Sequence, residues 1–207
     1  MIHPHTRIRY ISDEIGYGVF ATQLIPKGTI VYIKDSLELE IQPEDFENHS
    51  LVMQEQIEKY SYMNETGVRI LSWDFAKYVN HCCNYNTLSS AYGFDIAIKD
   101  IVEGDEITCD YGLLNVMDEM ELSCTRPECR KVLRPSDFEN YYLKWDDELK
   151  SALKEFSKVI QPLLPFVENG KLNELSIFLK DENIYNSICS LRYKQHSNLP
   201  SQYQSEN

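Results

Sequence analysis

Asn80-His81-Cys82-Cys83-Asn84-Tyr85-Asn86 packs amides, an imidazole and two thiols into one short stretch. Taken singly, such residues make a buried polar turn in which Asn and His satisfy backbone groups. Such density is uncommon in a purely structural loop, and the segments on either side add weight. Upstream, Gly16-Tyr17-Gly18-Val19-Phe20-Ala21 places two glycines at the start of a strand, where backbone can approach a ligand closely. It lacks the third glycine and the strand-then-helix setting of a dinucleotide fingerprint, which excludes a nicotinamide enzyme. Downstream, Gly104-Asp105-Glu106-Ile107-Thr108-Cys109-Asp110-Tyr111-Gly112 reads as an acidic turn, a strand and then Asp-Tyr-Gly. Alone, Gly-x-Gly is more often a simple turn and a strand-ending tyrosine more often core. The order and separation of the three segments carry the information.

Around them the chain reads as many short strands. Gly18 to Leu24, Thr29 to Ile33 and Leu37 to Ile41 have strand character, with Ile25-Pro26-Lys27-Gly28 as a turn between the first two. Residues 43–66 become polar, with one short helix expected near Leu51 to Lys59, and read as an insertion between two β-rich halves. Val68 to Leu71 resumes a strand, Phe94 to Lys99 alternates, and Glu103-Gly104-Asp105-Glu106 turns the chain into Ile107 to Tyr111. Beyond about Pro135 the period changes. Leu149, Leu153, Phe156, Ile160 and Leu163 recur at spacings of four and three, predicting a helix that Pro162 and Pro165 end or kink. A second helical run, Leu172 to Lys180, follows Gly170, and the polar tail from Gln195 to Asn207 is expected to fray. The fold class is mostly β with an α extension.

The 207 residues can bury one sizeable core, and 43% hydrophobic with 26% charged residues is ordinary globular composition. No window approaches 18 uninterrupted apolar residues, and Met1 to Tyr10 has no apolar signal-peptide region, so no membrane span is expected and the reading is intracellular, cytoplasmic or nucleoid/nuclear. Six cysteines without a secretory signal are better read as thiols or metal ligands than as disulfides. A formal charge of −13 disfavours direct nucleic-acid binding, which draws on a basic patch, and suits a basic partner.

Taken in order, the three segments resemble the SET domain, whose patterns are Gly-x-Gly, then Asn-His-Ser-Cys-x-Pro-Asn, then Glu-Leu-Thr-Tyr/Phe-Asp-Tyr. The resemblance covers about Arg7 to Gly112, with a fainter trace to Lys131. Cys82 stands where the family usually has Ser, Tyr85 where it has Pro, and Cys109 where it has Tyr or Phe. The resemblance implies a β-clip fold in which the segment carrying Asn80 and His81 is threaded by the one leading to Tyr111, a pseudoknot of short strands. It divides the chain into a SET domain over 1–115 with its insert at 43–66, a post-SET-like segment over 116–135, and a helical extension over 136–207.

It also implies a protein-lysine methyltransferase that uses S-adenosylmethionine. Gly16, Tyr17 and Gly18 would give the cofactor backbone contacts, Asn80 and His81 would hydrogen-bond it, Tyr62 would reach its carboxylate, and Tyr111 would be the catalytic tyrosine. The chemistry is in-line transfer of a methyl group from a sulfonium to a neutral amine. A lysine with a pKa near ~10.4 in water must therefore be presented uncharged, which a narrow apolar channel favours. In the family the aromatic residue at position 109 restricts the room around the amine. The smaller Cys109 therefore predicts that di- or trimethylation is sterically allowed.

Cys124-Thr125-Arg126-Pro127-Glu128-Cys129-Arg130 resembles the post-SET segment, where a cysteine triplet and the cysteine of the Asn-His motif bind zinc. Cys83, Cys124 and Cys129 match, but Leu122 replaces the remaining cysteine, so packed thiols are expected ahead of zinc, and Leu122 is expected near the adenine. The helical extension carries no catalytic signal, and its apolar stripe reads as a face docked on the SET domain. Asp146-Asp147-Glu148 could hold a basic substrate, though such a run is more often a solvated face. Two rivals stand beside the enzyme. One is a catalytically weak SET fold kept as a protein-binding module; the other is a zinc-stabilised interaction domain.

Overall fold

A computed structural model describes residues 1–124 and 126–194. The tail from Gln195 to Asn207 lies outside the described residues. In chain order the strands and helices are β1 (Thr6–Ser12), β2 (Gly16–Ala21), β3 (Ile30–Ile33), β4 (Leu39–Ile41), α1 (Pro43–Asn48), α2 (Leu51–Tyr60), β5 (Ser61–Met63), β6 (Arg69–Leu71), β7 (Asn80–His81) and β8 (Thr87–Ser89). They continue as β9 (Phe94–Ala97), β10 (Glu106–Cys109), β11 (Met120–Glu121), β12 (Val132–Leu133), α3 (Asp137–Leu153) and α4 (Asn169–Lys180). The sheets are small, with orders β1-β2-β10-β7, β3-β9-β8, β4-β6-β5 and β11-β12. Among the described residues no helix is long and apolar enough to cross a membrane.

No strand is expected from the sequence over Thr6–Ser12, where β1 runs. It is an edge strand, and its exposed Arg7 and Arg9 erase the apolar alternation by which strands are recognised. Backbone pairing with β2, from Thr6↔Ala21 to Ser12↔Gly16, holds it instead. The Arg9 guanidinium lies 4.4 Å over the Phe20 ring. The insert holds two helices rather than one. Pro43 starts α1 where its missing N–H costs nothing, and Gln54 Nε2 of α2 donates to the carbonyls of Phe46 at 3.2 Å and His49 at 3.0 Å, closing α1's C-terminal end.

Two cores hold the fold. Val19, Ala21, Ile25, Val31, Ala97, Ile101 and Ile107 pack between the β2 side and the β3-β9 side. Ile30, Phe94 and Ile96 belong to the second core, shared with Trp145, Leu149 and Leu153 of α3 and Phe178 of α4. Trp145, Leu149 and Leu153 are fully buried. Each is worth roughly 1.5–3 kcal/mol of apolar burial, so the extension is bound to the sheets by its own stripe. That stripe stops sooner than its period suggests. The α-helix ends at Leu153, ahead of both prolines, and Ile160 is 86% exposed. There α3 abuts the Pro26–Gly28 turn. A Cβ on Gly28 would meet Glu155 Cβ at 2.7 Å, and Gln161 bridges across, its Nε2 donating to Gly28 O at 2.7 Å and its Oε1 accepting from Ile30 N at 2.8 Å.

The acidic run of α3 divides by face. Asp147 is solvated, but Asp146 is buried and accepts from Tyr185 Oη at 2.9 Å, Ser187 Oγ at 2.7 Å and Ile188 N at 2.9 Å. It is a structural anchor for the end of the extension. Glu148 accepts from Tyr85 Oη at 2.6 Å, which explains how a buried tyrosine replaces the proline expected at that motif position.

Candidate active site

The site begins where β7 and β10 run parallel, with Asn80 beside Thr108 and His81 beside Cys109. The loop that follows β7 turns back onto the same strand. Cys82 N donates to Cys109 O at 3.2 Å and Asn86 N to Thr108 O at 3.1 Å. The Asn86 side chain completes the clasp, with Oδ1 accepting from Thr108 N at 2.9 Å and Nδ2 donating to Glu106 O at 2.8 Å. β10 is thus gripped along its length by residues 80–87. Asn86, the last asparagine of the motif, carries this crossing.

The crossing delivers Tyr111, just past β10, into a cleft of about 920 Å³. Gly16, Tyr17, Tyr62, Asn80 and Cys109 line the same cleft; Gly18, His81 and Leu122 do not. Gly16 has φ +82 and open space where a side chain would be, so its backbone is presented to the cleft. Gly18 has another task. A Cβ there would strike Glu106 Oε1 at 2.6 Å and Asn80 Nδ2 at 3.0 Å. Its absence lets the Asn80 amide donate to Tyr17 O at 3.0 Å and to Glu106 Oε1 at 2.8 Å, tying β2, β7 and β10 together.

His81 faces inward. Its Nδ1 accepts from the Tyr111 backbone N–H at 3.1 Å, which puts the ring proton on Nε2, 3.3 Å from Cys83 Sγ. Burial, reinforced by Arg130 and outweighing Asp110, pushes its pKa down to about 4, so the ring is neutral. Behind it Asp110 collects Arg130 Nη2, Trp145 Nε1 at 3.1 Å and Gly112 N at 3.0 Å, while Arg130 Nη1 reaches Asp137 at 3.2 Å. Arg130 thereby joins the segment after the motifs to both β10 and α3. Nothing in its sequence context announced that role, because a buried ion pair depends on partners brought together by folding.

The Tyr111 hydroxyl donates to Val79 O at 2.8 Å, leaving its oxygen lone pairs as acceptors. Burial raises its pKa above the ordinary tyrosine value, with Cys109 and Glu106 adding to the effect, so it stays a neutral phenol. Tyr62, on β5, is raised by burial as well and pairs with Tyr32. Cys109 is buried, and burial drives its thiol well up. Asp95, unremarked among the apolar residues of β9, also lines the cleft, and burial lifts its pKa to about 6. Tyr17, Tyr78 and Tyr60 make an aromatic row of edge contacts along the rim, with ring centroids 5.8 and 5.6 Å apart.

Leu122 does not line the cleft and donates its N–H to Lys131 O at 2.8 Å, while Met117 and Met120 of the same segment do line it. Cys83 and Cys129 have their sulfurs 3.8 Å apart, and Cys124 lies beside Cys129. Structural zinc takes four protein ligands. Here Leu122 has no donor, and the nearest imidazole nitrogen, His81 Nε2, carries the ring proton because Nδ1 is already an acceptor. Among the described residues no three His, Cys, Asp or Glu side chains have metal-ligating geometry. These residues do not fit zinc.

The motif-bearing β unit with its strand crossing is the architecture of a SET fold. Residues 16–112 match the family model of the SET domain, and this part of the chain belongs to that family. The "Variant-silencing SET domain-containing protein" of Plasmodium falciparum (isolate 3D7) is 26% identical over 196 aligned residues, covering 82% of this chain and 7% of that protein. The chain thus spans a small fraction of that relative's length. Among solved structures, KRYPTONITE in complex with mCHG DNA and SAH has a TM-score of 0.45 at 21% identity, covering 62% of this chain and 29% of that one. The methyltransferase domain of human histone-lysine N-methyltransferase SETMAR has a TM-score of 0.42 at 18% identity, covering 62% and 58%.

Proposed function

We propose that this chain transfers a methyl group from S-adenosylmethionine to the side-chain amine of a lysine in a protein substrate. The observation that carries the reading is the Tyr111 hydroxyl, tethered to Val79 O, in the same cleft as the open backbone of Gly16 and the side of Tyr17. That cleft is large enough for a cofactor and a side chain together.

S-adenosylmethionine, when bound, supplies a methyl group activated by its sulfonium. The protein's share is placement and desolvation. Gly16 and Tyr17 offer backbone groups and an aromatic face, and Tyr62 offers a phenol to a carboxylate. Tyr111, held neutral, presents an oxygen acceptor that can orient an amine N–H and receive weak C–H contacts. Asn80, Gly18 and His81 act one step back by holding Tyr17 and Tyr111 in place. Withdrawal from water on entering the cleft penalises the ammonium form and so favours the neutral amine that the transfer requires. Orientation and exclusion of water are the main catalytic terms. The small Cys109 leaves room for more than one methyl group, and the net charge of −13 supports a basic substrate. We take 1–115 as the catalytic unit, with 116–135 and 136–207 supporting it.

The internal commitment of Asn80 and His81 favours a second reading, a SET fold that holds a lysine peptide without transferring a methyl group. Methyl transfer from labelled S-adenosylmethionine to basic proteins and cell extract decides between them. Transfer that vanishes in Tyr111→Phe is the expected result. Cofactor binding by calorimetry with no transfer by the wild-type protein would establish the second reading.

A further inference from the structure

A lysine reaches the cleft as an ammonium ion, and transfer needs the neutral amine, so a proton must leave the nitrogen first. Asp95 is placed to receive it. On β9 it pairs with Tyr32 of β3 on one side and Ser89 of β8 on the other, and all three residues line the cleft. Its side chain is packed round by protein yet keeps an opening onto that cleft, with Ser89 as its hydrogen-bonding neighbour. The N-terminal ammonium favours its ionised form but is itself held by Asp35 at 3.1 Å and Glu38 at 3.3 Å. Among the described residues no side-chain cation makes an ion pair with Asp95, so the carboxylate is free for a cation that enters from outside. Cys109 lies within electrostatic reach of both Asp95 and Tyr111, and its small side chain leaves the space beside them open to an amine.

We propose that the Asp95 carboxylate accepts the proton that the substrate ammonium gives up before methyl transfer, a step that rests on the methyltransferase reading. The ammonium N–H bond breaks as an O–H bond forms on Asp95. The freed lone pair then makes the N–C bond as the C–S bond of the donor breaks, leaving a methylammonium and a neutral thioether. Asp95 returns its proton to water through the cleft opening before each further methyl group, so one proton is released per methyl transferred. The energies are matched. Burial can bring a lysine from ~10.4 down to about 5–6, which meets a carboxyl lifted by burial to about 6. Tyr32, Tyr62 and Cys109, facing Asp95 from β3, β5 and β10, are all held neutral above their ordinary values by burial. Glu38 stands behind Tyr32, its Oε1 accepting from Tyr32 Oη at 3.1 Å, and does not line the cleft.

The test compares the full wild-type chain with Asp95→Asn from about pH 5 to about pH 10, on the acceptor that labelled transfer identifies, with melting temperature read alongside. Wild-type kcat/KM should climb through about pH 6 and then level off, because it reports ionisation of the free enzyme. Asp95→Asn should lose about 100-fold at about pH 7 and regain it as pH rises towards ~10.4, where lysine loses its proton unaided. A second readout needs no turnover. Added at about pH 8, n-butylamine, which copies the lysine side chain, should move the Asp95 carboxyl carbon NMR signal and bind about ten-fold more weakly to Asp95→Asn. A variant within about two-fold of wild type at about pH 7, a loss equal at every pH, or an Asp95 signal unmoved by butylamine would each overturn the proposal. If wild type transfers nothing, the methyltransferase reading fails and the proton step with it, whereas the butylamine signal still tells whether an amine reaches Asp95.

Discussion

The backbone N–H of Tyr111 donates to Nδ1 of His81 at 3.1 Å, joining residues 30 positions apart. This one bond fixes the histidine tautomer, aims the tyrosine, and removes the ring from the metal-ligand inventory. It also sets a pH signature. A folded pKa of about 4 lies below the unfolded 6.5, so between these values the unfolded chain binds more protons. Stability from His81 is therefore complete above about pH 6.5 and lost as pH falls towards 4, by up to about 3 kcal/mol. Ring NMR should show His81 neutral at pH 5.5; a midpoint near 6.5 would contradict this.

Tyr111→Phe removes the oxygen acceptor and little apolar area. Methyl transfer should drop on the order of 100-fold or more, while cofactor affinity and melting temperature stay near wild type. A parallel loss of binding would mean that the hydroxyl is structural.

Asp95 titrates in the opposite sense to His81. Its folded pKa of about 6 exceeds the unfolded 3.8, so its contribution is present below about pH 3.8 and is lost as pH rises through 6. Asp95→Asn should accordingly be more stable than wild type at pH 7, by up to about 3 kcal/mol, and level with it near pH 4. Denaturant unfolding at both pH values checks this, and an equal difference at each would refute the assignment.

Asn86→Ala deletes both side-chain bonds to β10 and leaves a buried N–H and C=O without partners. A loss of about 2–4 kcal/mol is expected, with transfer falling in proportion to the folded fraction. Chemical denaturation measures the first and specific activity the second. An unchanged midpoint would show that the crossing is held elsewhere.

Cys109→Tyr fills the space beside Tyr111. Mass spectrometry of the product should shift from di- or trimethyl towards monomethyl lysine. If the methylation state is unchanged, neighbouring tyrosines rather than position 109 set the room.

The strands whose apolar residues repeat locally were readable within a few residues. β3, β6 and the start of β10 are examples, as is α2, because burial of one face writes its period into the sequence. β1 was not readable, since backbone pairing holds an edge strand without an apolar pattern. The run from Leu149 to Leu163 misled for a related reason. Phe156 and Leu163 reach the core from a 3₁₀ turn and a loop, so burial continued after the α-helix had ended.

Order and spacing of short motifs, together with residue type, were enough to show a SET resemblance over about Arg7 to Gly112, where the family model matches 16–112, and to single out Asn80, His81, Cys109 and Tyr111, because these properties belong to the chain itself. What each side chain touches is set by contacts between distant segments. Gly18 makes room for Asn80, His81 holds Tyr111 from behind, Met117 and Met120 line the cleft while Leu122 does not, and Arg130 and Asp95 take their electrostatics from buried partners and surroundings. Hydrogen-bond direction, desolvation and steric room are set by neighbours in space, and a linear sequence does not state who those neighbours are.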